Sequence, residues 1–207
     1  MFNQAFHATL QILLFRKGPE DFPYSADGRL NMACTALGIV ATALMLGMLD
    51  PPLVALANAL VATATVGFYA RFLLRMRRLE ARYQQTRNAL LAVGSTLMLL
   101  MLIPAANVVP ALPVMEKISQ ALATSNGVVD ANGALPGLTP EQIAQVPRFH
   151  ILAIYLLGLW FAASAAHILR GATGVPRIAA ALMAILLISN VQVAMLIVGS
   201  LLLLIIG

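Results

Sequence analysis

The stretch RIAAALMAILLISNVQVAMLIVGSLLLLIIG, residues 177–207, decides the fold class, because it carries no charged side chain after Arg177. A helix needs about 20 consecutive apolar residues to cross a bilayer, so this stretch is long enough for one crossing and too short for two. We therefore predict one transmembrane helix over about residues 177–206. It either tilts as a whole or bends near Ser189 and Asn190.

The composition of the whole chain agrees with this reading. The 207 residues are 60% hydrophobic and 10% charged, and the mean hydropathy is +0.87. A soluble domain is about 45–50% apolar and about 25% charged. A soluble fold of this size cannot bury so much apolar surface. The composition excludes soluble, disordered and disulfide-rich classes and predicts an integral membrane protein.

Four further apolar stretches have the length of a membrane span. They cover about residues 30–49, 53–70, 88–109 and 149–169. We predict an all-α integral membrane protein in which residues 1–29 form an interfacial helix and turn, and residues 30–207 form a five-span membrane domain. The loop over residues 110–148 is predicted to hold short helices at Met115–Thr124 and from Thr139 onward. This loop either caps the outer ends of the spans or offers a surface to a partner.

The first 14 residues predict a short amphipathic helix. Phe2, Phe6 and Leu10 recur at helical spacing with polar residues between them, and Arg16 and Lys17 follow. A helix of this kind lies in the plane of the membrane interface. The alternative is that it packs on the cytoplasmic face of the protein itself.

Lysine and arginine counts predict the orientation, because cytoplasmic loops of membrane proteins carry an excess of them. With five spans, one side collects eleven basic residues and the other collects two, Lys117 and Arg148. We therefore expect a bacterial inner membrane protein with a cytoplasmic N-terminus and a periplasmic C-terminus.

Charged side chains are missing from the middle of every predicted span. Such charges usually mark ion or substrate paths, so uncharged polar residues are the remaining candidates. We expect Asn58 and Asn190 to lie together deep in the bundle. The polar groups either join helices by hydrogen bonds or line a path for a solute. The candidates are Asn58, Asn107, His167, Asn190 and Gln192.

Arginines dominate the connection between the second and third spans, which we predict to continue the second helix. They either anchor the protein on its cytoplasmic side or bind anionic lipid or an acidic partner. These residues are Arg71, Arg75, Arg77, Arg78, Arg82 and Arg87. Small residues at helical spacing are candidates for close helix packing, either within the bundle or between copies. They include Gly38, Ala59, Gly158, Ala162 and Ala166.

No catalytic, metal or cofactor site is expected. Cys34 is the single cysteine and is predicted to be buried. The sequence contains no zinc-ligand spacing, nucleophile motif, phosphate-binding loop or nucleic-acid motif. An enzyme would need His150 beside a carboxylate at the same membrane surface, and the topology leaves Asp50, Glu116 or Glu141 for that role.

The order of segments resembles a known family. An amphipathic N-terminal segment, then the turn FRKGPEDFPYS over residues 15–25, then five tight spans rich in Ala and Leu resemble the bacterial branch of Yip1-domain membrane proteins. The Asp-Leu-Tyr-Gly-Pro signature of the eukaryotic members is absent here. The resemblance implies five spans, a cytoplasmic N-terminus and a role without catalysis in membrane organisation or partner recruitment.

These observations favour a non-catalytic membrane scaffold or accessory subunit. Its partners would be membrane lipids and either other membrane proteins or further copies of the chain. The alternative is a small transporter or channel lined by Asn58, Asn107, Asn190 and Gln192. A continuous polar path through those groups would favour the transporter.

Overall fold

A computed structural model describes residues 1–25, 28–124 and 144–206, and every regular element within these ranges is a helix. Five helices, α2, α3, α4, α6 and α7, are long and apolar enough to cross a membrane. The all-helical class and the number of span-length helices are therefore confirmed. The helices are α1 (Phe2–Leu13), α2 (Arg29–Leu46), α3 (Pro52–Met76), α4 (Tyr83–Val108), α5 (Leu112–Thr124), α6 (Arg148–Thr173) and α7 (Arg177–Ile206).

The connection between α3 and α4 differs from the prediction of one continuing helix. Helix α3 extends past residue 70 but ends at Met76. Arg78 then adopts a left-handed conformation with φ of 57°, and a single 3₁₀ turn at Glu80–Arg82 leads into α4. Because α4 packs back against α3 and α2, the chain must reverse direction here and cannot remain helical.

Helices α2, α3 and α4 form the centre of the bundle and pack along their length. Alanines make the closest contacts, since Ala41, Ala59, Ala70 and Ala89 are all fully buried. Small side chains let helix backbones approach closely in a membrane, where packing rather than the hydrophobic effect holds helices together.

Helix α6 has fully buried side chains only near the turn that joins it to α7, whereas α7 packs along α3, with Met183 against Tyr69 and Gly199 against Asn58. The buried side chains of α6 lie between Ser164 and Thr173, and the segment 148–163 contains none. Gly174 ends α6 with φ of 70°, a left-handed conformation that glycine adopts without steric cost. Helix α7 is continuous through Ser189 and Asn190, so no break interrupts it there.

Helix α1 packs on the bundle. Its buried residues are Ala5, Ala8, Thr9, Ile12 and Leu13, whereas the apolar side chains Phe2, Phe6 and Leu10 are exposed. The indole of Trp160 donates a hydrogen bond to the carbonyl of Leu13 at 3.0 Å. One face of α1 therefore contacts α4 and α6, and a separate apolar face is exposed. A position in the membrane interface stays a prediction.

The loop after α1 lies against the end of α6. Phe22 is 1% exposed, and the side chain of Gln85 donates hydrogen bonds to the carbonyls of Glu20 and Phe22 at 3.1 and 3.0 Å. A Cβ on Gly171 would lie 2.7 Å from the Cδ atom of Pro19, so only glycine permits this close approach. The loop therefore belongs to the folded structure of the bundle.

Helix α5 follows α4 after a short 3₁₀ turn. It begins at Leu112, slightly before the predicted Met115, and none of its described side chains is buried. The second predicted helix of this loop, from Thr139, lies outside the described residues. A capping role for the loop stays a prediction.

We expect Ile12→Ala to release α1 from the bundle, because Ile12 is fully buried against it. The free energy that holds α1 on the bundle should fall by about 2 kcal/mol. This is the lower end for truncating a buried aliphatic side chain, because lipid still covers the freed helix. Hydrogen exchange of residues 2–13 measures the release. Leu10→Ala on the exposed face of α1 is the control, and equal exchange in the two variants would contradict this packing.

Candidate functional site

Polar side chains join the helices at the arginine-rich end of the bundle, the end that contains the α3–α4 connection. Asn88 is 1% exposed, and its amide donates to the side-chain oxygen of Asn31 at 2.5 Å. The guanidinium of Arg87 donates to the hydroxyl of Thr35 at 2.7 Å and to the amide oxygen of Asn88 at 3.4 Å. These bonds connect α4 to α2.

The same end holds further bonds that attach α6 to its neighbours. The guanidinium of Arg82 donates to the carbonyls of Gly171 and Ala172 at 3.2 and 3.3 Å, near the end of α6. His167 bonds through Nε2 to the carbonyl of Lys17 at 2.9 Å, and its ring stands edge-on to Phe15. A positive side chain at a helix C-terminus also interacts favourably with the helix dipole. Arg82 and His167 therefore serve packing within the chain.

The remaining arginines of the connection lie on the surface. Arg71, Arg75, Arg77 and Arg78 are exposed, and Arg75 pairs with Glu80 at 3.9 Å. An exposed pair of this kind contributes at most about 1 kcal/mol. The six arginines predicted as one lipid or partner surface therefore divide into two structural connectors, Arg82 and Arg87, and four exposed cations.

A cavity of about 450 Å³ lies between α3 and α7 at the opposite end of the bundle, which we call the Asp50 end. Asp50 is its one charged lining residue, and Asn58, Gln192 and Ser200 supply uncharged polar groups. Its other walls are aliphatic. It is the clearest meeting point of polar side chains within the spans of the described residues.

A second cavity of about 290 Å³ adjoins the first and shares Gln192 and Met195 with it. It lies in the middle of the bundle between α2, α3, α4, α6 and α7. Its lining is mostly apolar, with Met98, Met101 and Phe161 among its largest side chains. The lining therefore changes from partly polar in the first cavity to mostly apolar in the second.

Asn58 is the most informative of the predicted polar residues. It is 7% exposed, and its oxygen Oδ1 is buried without a hydrogen-bond partner. Its amide lies on Gly199 of α7, where a Cβ would be only 3.1 Å from Nδ2. A buried amide oxygen without a partner destabilises a protein by about 1–3 kcal/mol, so such an atom calls for an explanation.

The expected pairing of Asn58 with Asn190 is wrong. Asn190 is exposed, and its amide donates to the carbonyl of Leu186 in its own helix at 2.8 Å. Asn107 is likewise exposed and donates to the carbonyl of Ile103 at 3.1 Å. The spacing along α7 turns Asn190 away from α3 while Gln192 reaches the cavity.

The predicted packing residues also divide into two groups. Gly38 and Ala59 are buried, and a Cβ on Gly38 would lie 3.3 Å from Leu91, so both serve close packing. Ala162 and Ala166 are partly buried. Gly158 differs, because a Cβ added there would meet no atom within 4 Å and the residue lines the central cavity.

Sequence reasoning missed the residues that join the helices at the arginine-rich end, namely Asn31, Thr35, Gln85 and Asn88. Asn31 and Asn88 were detectable as amides at the first turns of two apolar spans. Nothing in the sequence showed that they face each other, because that depends on how α2 and α4 are rotated.

A metal site needs several ligating side chains close together. Among residues 1–25, 28–124 and 144–206, no three His, Cys, Asp or Glu side chains come together as a metal site. Glu141, one carboxylate considered as a partner for His150, lies outside the described residues. Cys34 is buried, as predicted.

Comparison with protein-family models, curated proteins and solved structures finds no match to this chain. The resemblance to Yip1-domain proteins therefore stays an expectation.

We expect Asn88→Leu to destabilise the protein by about 1–3 kcal/mol, because it leaves the side-chain oxygen of Asn31 without its donor. The double variant Asn31→Leu with Asn88→Leu should recover much of that loss, since both polar groups are then gone. Thermal unfolding in detergent measures both. Additive losses in the double variant would contradict the bond.

Proposed function

We propose that the protein is a non-catalytic membrane scaffold or accessory subunit, which holds a transmembrane helix of a partner protein against α6. The observation that supports this is the exposed outer face of α6, since no side chain between Arg148 and Ala163 is fully buried and the packed face there is limited to partly buried residues such as Leu157 and Phe161. The stripe on the outer face comprises Phe149, Leu152, Tyr155, Leu156 and Leu159.

The chemistry of this stripe suits a protein partner. Phe149 and Tyr155 supply two exposed aromatic side chains on this face, and aromatic residues are enriched where protein partners bind tightly. Tyr155 is 69% exposed. Its hydroxyl can bond to a polar group of a neighbouring helix, and such bonds support helix association in membranes. Ala163 is exposed at the end of the stripe, and its small side chain allows a partner helix to approach α6 closely.

The distribution of the polar residues favours this role over transport. A transporter lined by Asn58, Asn107, Asn190 and Gln192 needs these groups on one path. Asn107 and Asn190 instead bond to their own helices on the outer surface. Only Asn58 and Gln192 share a cavity.

We further propose that the protein resides in a bacterial inner membrane with the arginine-rich end in the cytoplasm. The four exposed arginines after Ala70 support this orientation, since positively charged loops are retained on the cytoplasmic side. Helix α5 then lies on the periplasmic side. A role in organising a membrane or recruiting partners is also what the resemblance to Yip1-domain proteins implies.

The orientation predicts which engineered thiols react in intact cells. In a Cys34→Ser background, Ser119→Cys in α5 should react with a membrane-impermeant maleimide, and Arg78→Cys should react only after the cells are opened. Both side chains are exposed, so access to the reagent is the difference between them. The reverse pattern would contradict the proposed orientation.

The scaffold role predicts protein crosslinks at the α6 stripe. A photo-crosslinking amino acid at Leu159 should yield one protein adduct of defined mass, either a partner subunit or a second copy. The same amino acid at Ile178, which is 78% exposed on α7, is the control and should yield lipid adducts. Lipid adducts at both positions would count against the proposal.

A further inference from the structure

We propose that the two adjoining cavities between α3 and α7 bind one single-chain amphiphile with a primary ammonium head. The head would lie at the Asp50 end beside Asn58, and the chain would enter the central cavity. This site is on a different surface from the α6 stripe, so it does not depend on the proposed scaffold role.

The charge of the first cavity selects the head group. Asp50 is the one charged residue in its lining, and a carboxylate accepts hydrogen bonds but donates none when ionised. The amides of Asn58 and Gln192 and the hydroxyl of Ser200 carry both acceptors and donors, so the carboxylate of Asp50 is the one fixed charge of the lining. An ammonium group carries a positive charge and three donors, so it matches this set, whereas an anionic head would be repelled.

Asn58 gives an independent reason to expect that a ligand in the first cavity carries a hydrogen-bond donor. Its oxygen Oδ1 is buried and has no partner, although polar groups inside folded proteins are nearly always paired. Asn58 also lines the first cavity, so rotation of its amide would bring this oxygen to a ligand there. A ligand that donates to this amide removes the penalty of the unpaired oxygen, and the gain appears as binding affinity.

The second cavity is suited to an apolar chain. Its lining is largely aliphatic, with Met98, Met101, Phe161 and Met195, and methionine adapts its shape to irregular ligands. Gly158 leaves the space beside it open. The residues of α7 that line the two cavities run from Leu187 to Leu203, about 24 Å at the rise of an α-helix. Each volume is close to or within the usual range for small-molecule sites, about 300–1,000 Å³.

The test uses the full chain in nanodiscs of phosphatidylcholine and native mass spectrometry to count bound molecules. The probes are dodecylamine, dodecanol and dodecanoate, which share one chain length and differ in the head. We expect one dodecylamine per chain, with the alcohol and the acid at least about tenfold weaker, as one lost charged hydrogen bond implies.

Four variants locate the bound molecule. Asp50→Asn and Asn58→Leu should each weaken dodecylamine binding about tenfold, because each removes an acceptor. Gly158→Leu should weaken it by filling the space for the chain. Asn190→Leu makes the same replacement as Asn58→Leu on the exposed face of α7, and it should leave binding unchanged.

Thermal unfolding without probe separates a binding role from a structural one. Because Asn58 Oδ1 has no partner, Asn58→Leu should raise the unfolding temperature while it weakens binding. If Asn58→Leu does not fold, dodecylamine binding to Asp50→Asn and Gly158→Leu still shows where the probe binds. The proposal is overturned if the three probes bind equally, or if Asp50→Asn and Gly158→Leu both leave dodecylamine binding unchanged.

Discussion

The lack of hydrogen-bonding partners inside a bilayer is the constraint on which the rest of this structure depends. Backbone groups within the membrane must bond to one another, which makes every span a helix. Polar side chains are bound by the same constraint, and one group of those in the spans donates to the carbonyl four residues earlier. This group comprises Thr35, Thr65, Ser95, Thr96, Asn107, Thr173 and Asn190. The oxygens of Asn58 and Ser164 are buried without a partner, and Asn58 also lines the cavity at the Asp50 end.

A second consequence is that the two ends of the bundle differ. At the arginine-rich end, bonds from Arg82, Gln85 and Asn88 reach α6, the loop after α1, and α2. These bonds and the fully buried side chains beside them close that end. At the Asp50 end, α6 buries nothing before Ser164 and α7 leaves two cavities beside α3. The closed end is suited to hold the bundle together, and the open end and the free half of α6 are suited to bind other molecules.

Structural features that depend on local sequence could be predicted. Features that depend on how each helix is rotated about its own axis could not. The number of span-length helices followed from hydrophobic length, and the burial of Cys34 followed from its apolar surroundings. The Asn58–Asn190 pair failed because two spans can face each other in many rotations, and α7 is apolar on all sides, which hides its packed face. The face of α1 that packs on the bundle, which includes Ala5, Ala8, Ile12 and Leu13, likewise depends on the rotation of that helix and could not be read from its apolar spacing.

The reactivity of single cysteines along α7 in nanodiscs, in a Cys34→Ser background, tests most directly whether the bundle is open at the Asp50 end. Ser200→Cys lies in the cavity at that end, while Val193→Cys replaces a side chain that is 55% exposed in the middle of α7 and outside the cavity lining. An open, partly polar cavity admits water and a small charged maleimide, and the lipid-covered surface does not. We predict fast labelling of Ser200→Cys and little labelling of Val193→Cys. Equal reactivity, or an unreactive Ser200→Cys, would contradict a bundle that is open at the Asp50 end.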